Sequence, residues 1–341
     1  MKRTIMLFSF SLLFFISSCS YSDKKNVVDT INIFPVDSLS TFIGLPIFIN
    51  YYDDKLFVVE AFGSERFIKV IDVVNDSLIF SFVDRGSGPN ECLSVASLDI
   101  YDDDNHGTVV GIYDLSSRIY QVYSYTELLE MKHLTEPILR KRFPDSRYGS
   151  FIRLDSMYLA TNLGGGKRFI LYDDSLNNGK PVCDYRPKPS AEIPDALHAL
   201  LHNGRTFVSP DRKKIGSVIF LAPLLSVFTV EKQNVQPAWD YVIEEMNYTV
   251  RGNDYKINTP TGYLSGAFSE KYVYGLFCGK KEGESDYGDE LDVFSYDGEL
   301  LRKYHLAQPA FGISIDEVNN KLYVLVHEPE PTILIYHIDD I

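Results

Sequence analysis

Arg66, Arg118 and Arg168 recur at nearly equal intervals, each opening a short apolar run (RFIKV, RIYQV, RFILY), and Lys167 precedes the last of them. A guanidinium offers a planar fork of donors that matches a carboxylate or sulfate. A rim of such forks would therefore suit an anionic ligand such as a carboxylated or sulfated glycan. The same residues could instead tie hairpins together by bonding backbone carbonyls and neighbouring acids. His198 and His202 in DALHALLHNG stand one helical turn apart, a spacing that allows two metal ligands. Ala199 and Leu200 occupy the positions where a metalloprotease helix carries its glutamate, so the segment reads as a surface helix rather than a metal site. The run GGG at 164–166 lacks the Lys-Ser/Thr and helix of a phosphate loop and reads as a hairpin tip. No nucleophile elbow of the G-x-S-x-G kind is present. No cofactor and no metal is expected.

The ends and the composition narrow the setting. Lys2 and Arg3 precede an apolar run from Ile5 to Ile16, too short for a bilayer of ~30 Å, so it reads as a signal segment. ISSC, ending at Cys19, resembles a bacterial lipobox, which makes Cys19 the expected lipidation site and residues 1–19 a lipoprotein signal peptide. Ser20 in place of an aspartate points to the outer membrane, on its periplasmic or its cell-surface face. Residues 20–29 are expected to be a tether. A net charge of −14 argues against nucleic acid, and contact with the membrane is expected through the lipid anchor alone. With Cys19 lipidated, Cys92, Cys183 and Cys278 remain, too few and too irregular for a disulfide framework or zinc site. They read as buried thiols, with one disulfide left open.

The elements that must position these residues emerge from a repeat. An apolar strand ending in an acidic turn recurs as INYYDD (49–54), LDIYDD (98–103), FIRLD (151–155), FVSPD (207–211), AFSE (267–270) and ISID (313–316). The period of roughly 45–60 residues is that of a four-stranded propeller blade. Each turn is followed by two more strand signals, as in KLFVVEAF and RFIKVIDV. Six units follow, and packing them face to face in a ring protects nearly every edge. Between blades one and two lies RGSGPNE. Gly86 and Gly88 are expected to supply backbone angles that a side chain forbids, and Pro89 to fix φ at the crossing. On this plan the inner strands carry Ser97, Arg153, Ser209, Ser265 and Ser314 with few acids, which disfavours a calcium-centred site. The polar segment 279–290 reads as a loop projecting from blade five.

GSGPNE followed by VGIYDLSSRIYQVYSY resembles the NHL-type repeat. Together with VSPDRKK at 208–214, residues 30–341 resemble the TolB-like six-bladed propeller lipoproteins common in Bacteroidetes. That resemblance implies the fold and little about activity, since members mostly have no assigned reaction. The chain departs from the pattern in two ways: blades three to six lack the Gly-Pro crossing, and blade four carries the apolar turn LAPLLS. The expected architecture is all-β, a six-bladed β-propeller of four-stranded antiparallel blades over residues 30–341. The ring is closed by an N-terminal strand between Thr30 and Phe48 that completes blade six. The expected function is a lipid-anchored envelope binding or scaffold protein that presents a propeller face to a partner protein or extracellular glycan. The alternative is a propeller hydrolase or lyase with its site in the axial channel.

Overall fold

The structure is a computed structural model and describes residues 28–62, 65–144, 146–251, 254–281 and 283–338. The signal segment with Cys19, and all of the tether but its last two residues, lie outside the described residues.

Six antiparallel sheets surround an axis, and their innermost strands are Leu45–Tyr52, Val95–Asp103, Tyr148–Arg153, Gly204–Val208, Tyr263–Phe268 and Gly312–Asp316. These contain the six repeats read from the sequence. The acidic turns have a local cause. In blade one Tyr52 pairs with Lys55, and Asp53 and Asp54 both take left-handed angles (φ 51 and 56). A two-residue hairpin turn demands that conformation, and Asp tolerates it better than most residues. Val, Ile, Phe and Tyr alternate along the strands and fill the layers between blades, as with Phe57, Val59, Ile100 and Ile112 between blades one and two.

The N-terminal segment closes the ring as the leftover strand predicts. Asp37 and Ser38 pair antiparallel with Ile335 and Leu334, flanked by Val36 N to Ile335 O (2.8 Å) and Leu39 N to Ile333 O (2.9 Å). This supplies the fourth strand of blade six. A second contribution was not anticipated: Thr30–Ile33 runs parallel to the outer strand Leu300–Ala310 and makes blade five five-stranded. A short strand, Glu91–Cys92, likewise adds in parallel to blade one.

The glycines of the crossing RGSGPNE do not supply the backbone angles inferred for them. Neither Gly86 nor Gly88 has a positive φ. The carboxylate of Glu91 folds into the loop, accepting from Gly88 N at 2.8 Å, and a Cβ on Gly86 would stand 1.9 Å from its oxygen. A side chain there would have to displace the Glu91 carboxylate from the loop.

Two insertions decorate the ring. Helix α1, Tyr125–Met131, stands between the third and fourth strands of blade two and is capped by Ser124, whose hydroxyl accepts from Glu127 N. Helix α2, Asp195–Leu201, lies at the crossing from blade three to blade four. Its apolar side meets the hairpin of Tyr248–Arg251 and Asp254–Ile257 through Ile193, Leu201, Tyr248, Ile257 and Leu221. This cover explains the apolar turn LAPLLS: Ala222 and Leu224 are buried beneath it rather than facing solvent.

Candidate functional site

The six inner strands enclose an axial cavity of about 440 Å3. Most polar side chains on these strands are spent on joining one blade to the next. Asn50 Nδ2 donates to Leu98 O (2.7 Å), Ser97 Oγ accepts from Phe151 N (3.0 Å), Ser265 Oγ from Ile313 N (3.2 Å) and Ser314 Oγ from Tyr51 N (2.8 Å). Asp99 Oδ2 accepts from Arg153 N at 2.7 Å. Because an inner strand presents backbone donors to its neighbour, short side-chain acceptors at three junctions, with the Asn50 donor at a fourth, help to fix the ring's register. Ser209 serves its own hairpin, accepting from Lys214 N at 2.9 Å. Arg153 reaches Asp174 and lies over the ring of Tyr158, 4.6 Å from its centroid. Among the described residues no group of three or more His, Cys, Asp or Glu side chains gathers in metal-binding geometry.

Two arginines of blade four occupy the ends of the channel, and reading the sequence singled out neither. At the hairpin end, Arg212 grips the Asp99 carboxylate with both Nη atoms (2.9 and 3.1 Å) and donates to Ile100 O (2.7 Å) and Arg153 O (2.6 Å). It thereby ties blade four to blades two and three. At the crossing-loop end, Arg205 donates from Nη2 to Ile47 O in blade one, which stands opposite blade four across a six-membered ring. Phe48, Phe311 and Phe220 surround its guanidinium, with centroids at 5.2, 5.6 and 5.9 Å. Phe311 continues into His327 (5.3 Å) and Tyr287 (6.5 Å). The polar segment after blade five's second strand thus projects at its tip and turns inward at Tyr287. Burial pushes the Arg205 pKa down to about 10. Arg212 lies inside VSPDRKK, so the motif pointed at the right stretch without revealing its partner.

The four cations read from the sequence lie on three blades, Lys167 and Arg168 sharing the third strand of blade three, and each is engaged by its own or the adjoining blade. Arg66 pairs with Asp84 (2.8 Å) and bonds Ser81 O, both on the fourth strand of blade one. Arg118 donates to Pro144 O, and Lys167 pairs with Asp184. Arg168 is buried between blades three and four, where it donates to Ser217 Oγ (2.9 Å) and Ser226 Oγ (3.3 Å), and burial lowers its pKa.

His198 and His202 do share one face of α2, with ring centroids 4.2 Å apart, but that face is buried. His198 bonds Tyr248 Oη (2.6 Å) and Arg186 O (2.8 Å), and His202 Nδ1 bonds His198 O (2.8 Å). Burial pushes the His202 imidazole down to about 3 and lowers His198 as well. Cys92, Cys183 and Cys278 are all free thiols, which answers the open disulfide question. Burial raises the Cys92 and Cys183 thiols to about 12 and about 11.

Asp114, in the motif YDLSSRI, has a defined task. Its buried carboxylate accepts from Leu93 N (2.8 Å), Ser94 N (3.0 Å), Ser116 N (3.0 Å) and Ser117 N (3.2 Å), clamping the crossing loop to the next hairpin turn. Leu93 and Leu115, joined through Leu115 N to Ser94 O (3.0 Å), are left exposed on that face.

These features define a closed six-bladed propeller with a cross-linked hub and a loop-bearing face. Residues 24–318 match the family model described as TolB-like 6-blade propeller-like, and the chain belongs to that family. No curated protein matches it. Among solved structures, a Bacteroides fragilis protein whose name calls it exported aligns at a TM-score of 0.55 and 11% identity, over 91% of this chain and 94% of that one. The WD40 repeats of RRP9 align at 0.53 and 9% identity, over 89% and 97%. Raptor from Chaetomium thermophilum aligns at 0.51 and 10% identity, over 92% of this chain and 29% of that one. Likeness at such identities is one of fold. No described helix is long and apolar enough to cross a membrane.

Proposed function

We propose that this propeller is a lipid-anchored binding protein of the outer envelope, tethered through Cys19 and presenting its crossing-loop face to a partner protein. The observation that carries this reading is a set of exposed apolar side chains held on rigid loops of that face. Phe42 is 77% exposed and Leu93 51%, with Leu45 and Leu115 beside them in the same blades. Their backbones are fixed by buried charge. Lys69 donates to Phe42 O (3.1 Å), Glu60 accepts from Gly44 N (2.6 Å), and Asp114 holds Leu93. Rigid apolar side chains bind at little entropic cost, which is what a docking surface needs. An anionic glycan held by Arg66, Arg118, Lys167 and Arg168 has less support, since each already bonds its own or the adjoining blade.

The test is site-specific photo-cross-linking in intact cells of the native host. A photoreactive residue at Phe42 or Leu115 should capture one protein stoichiometrically, and Phe42→Ser should abolish the capture made from Leu115. The same probe at Val318, 91% exposed in a hairpin turn of the opposite face, should capture nothing. Equal capture from both faces, or turnover of a lactone, glycoside or peptide by the purified protein, would refute the reading. Cys19→Ser should also release the chain from the membrane fraction.

A further inference from the structure

Arg205 is set deep in the fold without an opposing charge. Other cations in the fold's interior have carboxylates: Lys69 has Glu60 (3.0 Å), Arg212 has Asp99 (2.9 Å) and Lys303 has Asp292 (2.7 Å). Arg168 has two serine hydroxyls instead. Among the described residues Arg205 makes one hydrogen bond, from Nη2 to Ile47 O. Its Nε is shut off from solvent and has no partner. Nη1 has none among the described residues, yet the side chain as a whole keeps partial solvent access at the channel mouth. Burial alone perturbs it, with no acidic group acting in return. Phenyl rings offset only part of the cost of a guanidinium without a carboxylate, and the sealed, orphaned Nε–H is unfavourable. The charge and the orphaned N–H persist although the chain carries 47 acidic side chains, and none of those among the described residues pairs with Arg205.

We propose that Arg205 anchors the carboxylate of a small ligand with an apolar body, entering the channel from the crossing-loop face. A carboxylate would engage Nη1, the nitrogen that is neither bonded nor sealed from solvent, and neutralise the charge. Phe48, Phe220 and Phe311 form the apolar wall beside it, as in pockets where a few polar groups orient a mostly apolar ligand. The chemistry favours a carboxylate over phosphate. A doubly charged, strongly hydrated anion would need more donors than one guanidinium, and no lysine or run of backbone amides is seen bonding there. The apolar wall disfavours a uronic acid, whose ring is hydroxylated. This inference stands apart from the partner protein, because Arg205 and the three phenylalanines around it include none of the exposed leucines.

Isothermal titration of the purified full chain tests it, with benzoate and 3-phenylpropionate as probes and their methyl esters, glucuronate and inorganic phosphate as comparators. The carboxylates should bind and the comparators should not. Arg205→Gln should weaken binding at least thirtyfold, and its ligand-free form should melt no lower than wild type because the unpaired charge is gone. Arg205→Lys, which keeps the charge and loses the fork, should weaken binding about tenfold. If Arg205→Gln fails to fold, the lysine variant and the ester comparison decide. Absence of binding by both carboxylates overturns the proposal. So does equal binding of the esters, tighter binding of phosphate or glucuronate, or unchanged affinity in the Arg205 variants.

Discussion

Asp114 shows how much one carboxylate does in this fold. It gathers four backbone amides from two loops, so its removal strands donors that water reaches poorly. Asp114→Ala should cost about 3 kcal/mol, read as a lower urea midpoint at unchanged slope. His202 makes a second residue-scale prediction, through pH. Its folded pKa of about 3 lies below the unfolded value near 6.5, so between these limits the unfolded chain binds the extra proton. Stability is therefore flat above about pH 6.5 and falls with acid at roughly 1.4 kcal/mol per pH unit from this group. His198 shifts in the same direction. Unfolding free energies between pH 4.5 and 7 should show this slope, and His202→Gln should remove about one proton's worth of it. The pairing of these histidines on one helical face was legible in their spacing. Their burial was not, because it depends on a hairpin some fifty residues downstream, whose Tyr248 meets His198.

At the scale of elements, the strands were the most legible part of the molecule. Alternating β-branched and aromatic residues, broken by Asp, Asn and Gly, specify a strand and its turn locally. That is why every inner strand falls where the repeat placed it. Helix α2 was legible in DALHALLHNG, whereas α1 and the extra hairpin were harder, because α1 rests on a seven-residue YTELLEM and the hairpin on packing against α2. The hub is held by long-range pairs. Arg212→Met should destabilise the protein by about 3 kcal/mol in urea titrations, because it leaves Asp99 buried without its cation. Arg212→Met with Asp99→Asn should cost less than the two single changes summed, and strict additivity would mean the pair is not coupled. The glycines of the crossing loop were singled out for backbone angles that they do not adopt, and what they leave is room for the Glu91 carboxylate.

At the scale of the whole molecule, closure decides stability. Two strands drawn from Thr30–Ser38 bind the edges of blades five and six, and Leu39 and Ile43 are buried beneath them. Phe42 and Gly44 are then locked to blade one by Lys69 and Glu60. Deleting residues 20–40 should therefore abolish the single cooperative unfolding transition, and an unchanged melting curve would show that the ring does not need its N-terminal strand. An open ring leaves two sheet edges unpaired, which invites association between chains, so the deletion variant should also aggregate in light scattering.

The amino-acid sequence by itself determined the strands, their six-fold repetition and the need for a closing strand, because each rests on side-chain alternation and turn chemistry within a few dozen residues. Only the tertiary structure decided which charges meet. Arg205 reaches a carbonyl 158 residues away and Arg212 a carboxylate 113 residues away. Such contacts exist only once the ring has closed and brought distant blades to one axis. Whether a cation is a staple, a solvated surface charge or an unpaired anchor is set by that closure, since burial and the nearest opposite charge depend on the assembled ring rather than on the neighbouring sequence.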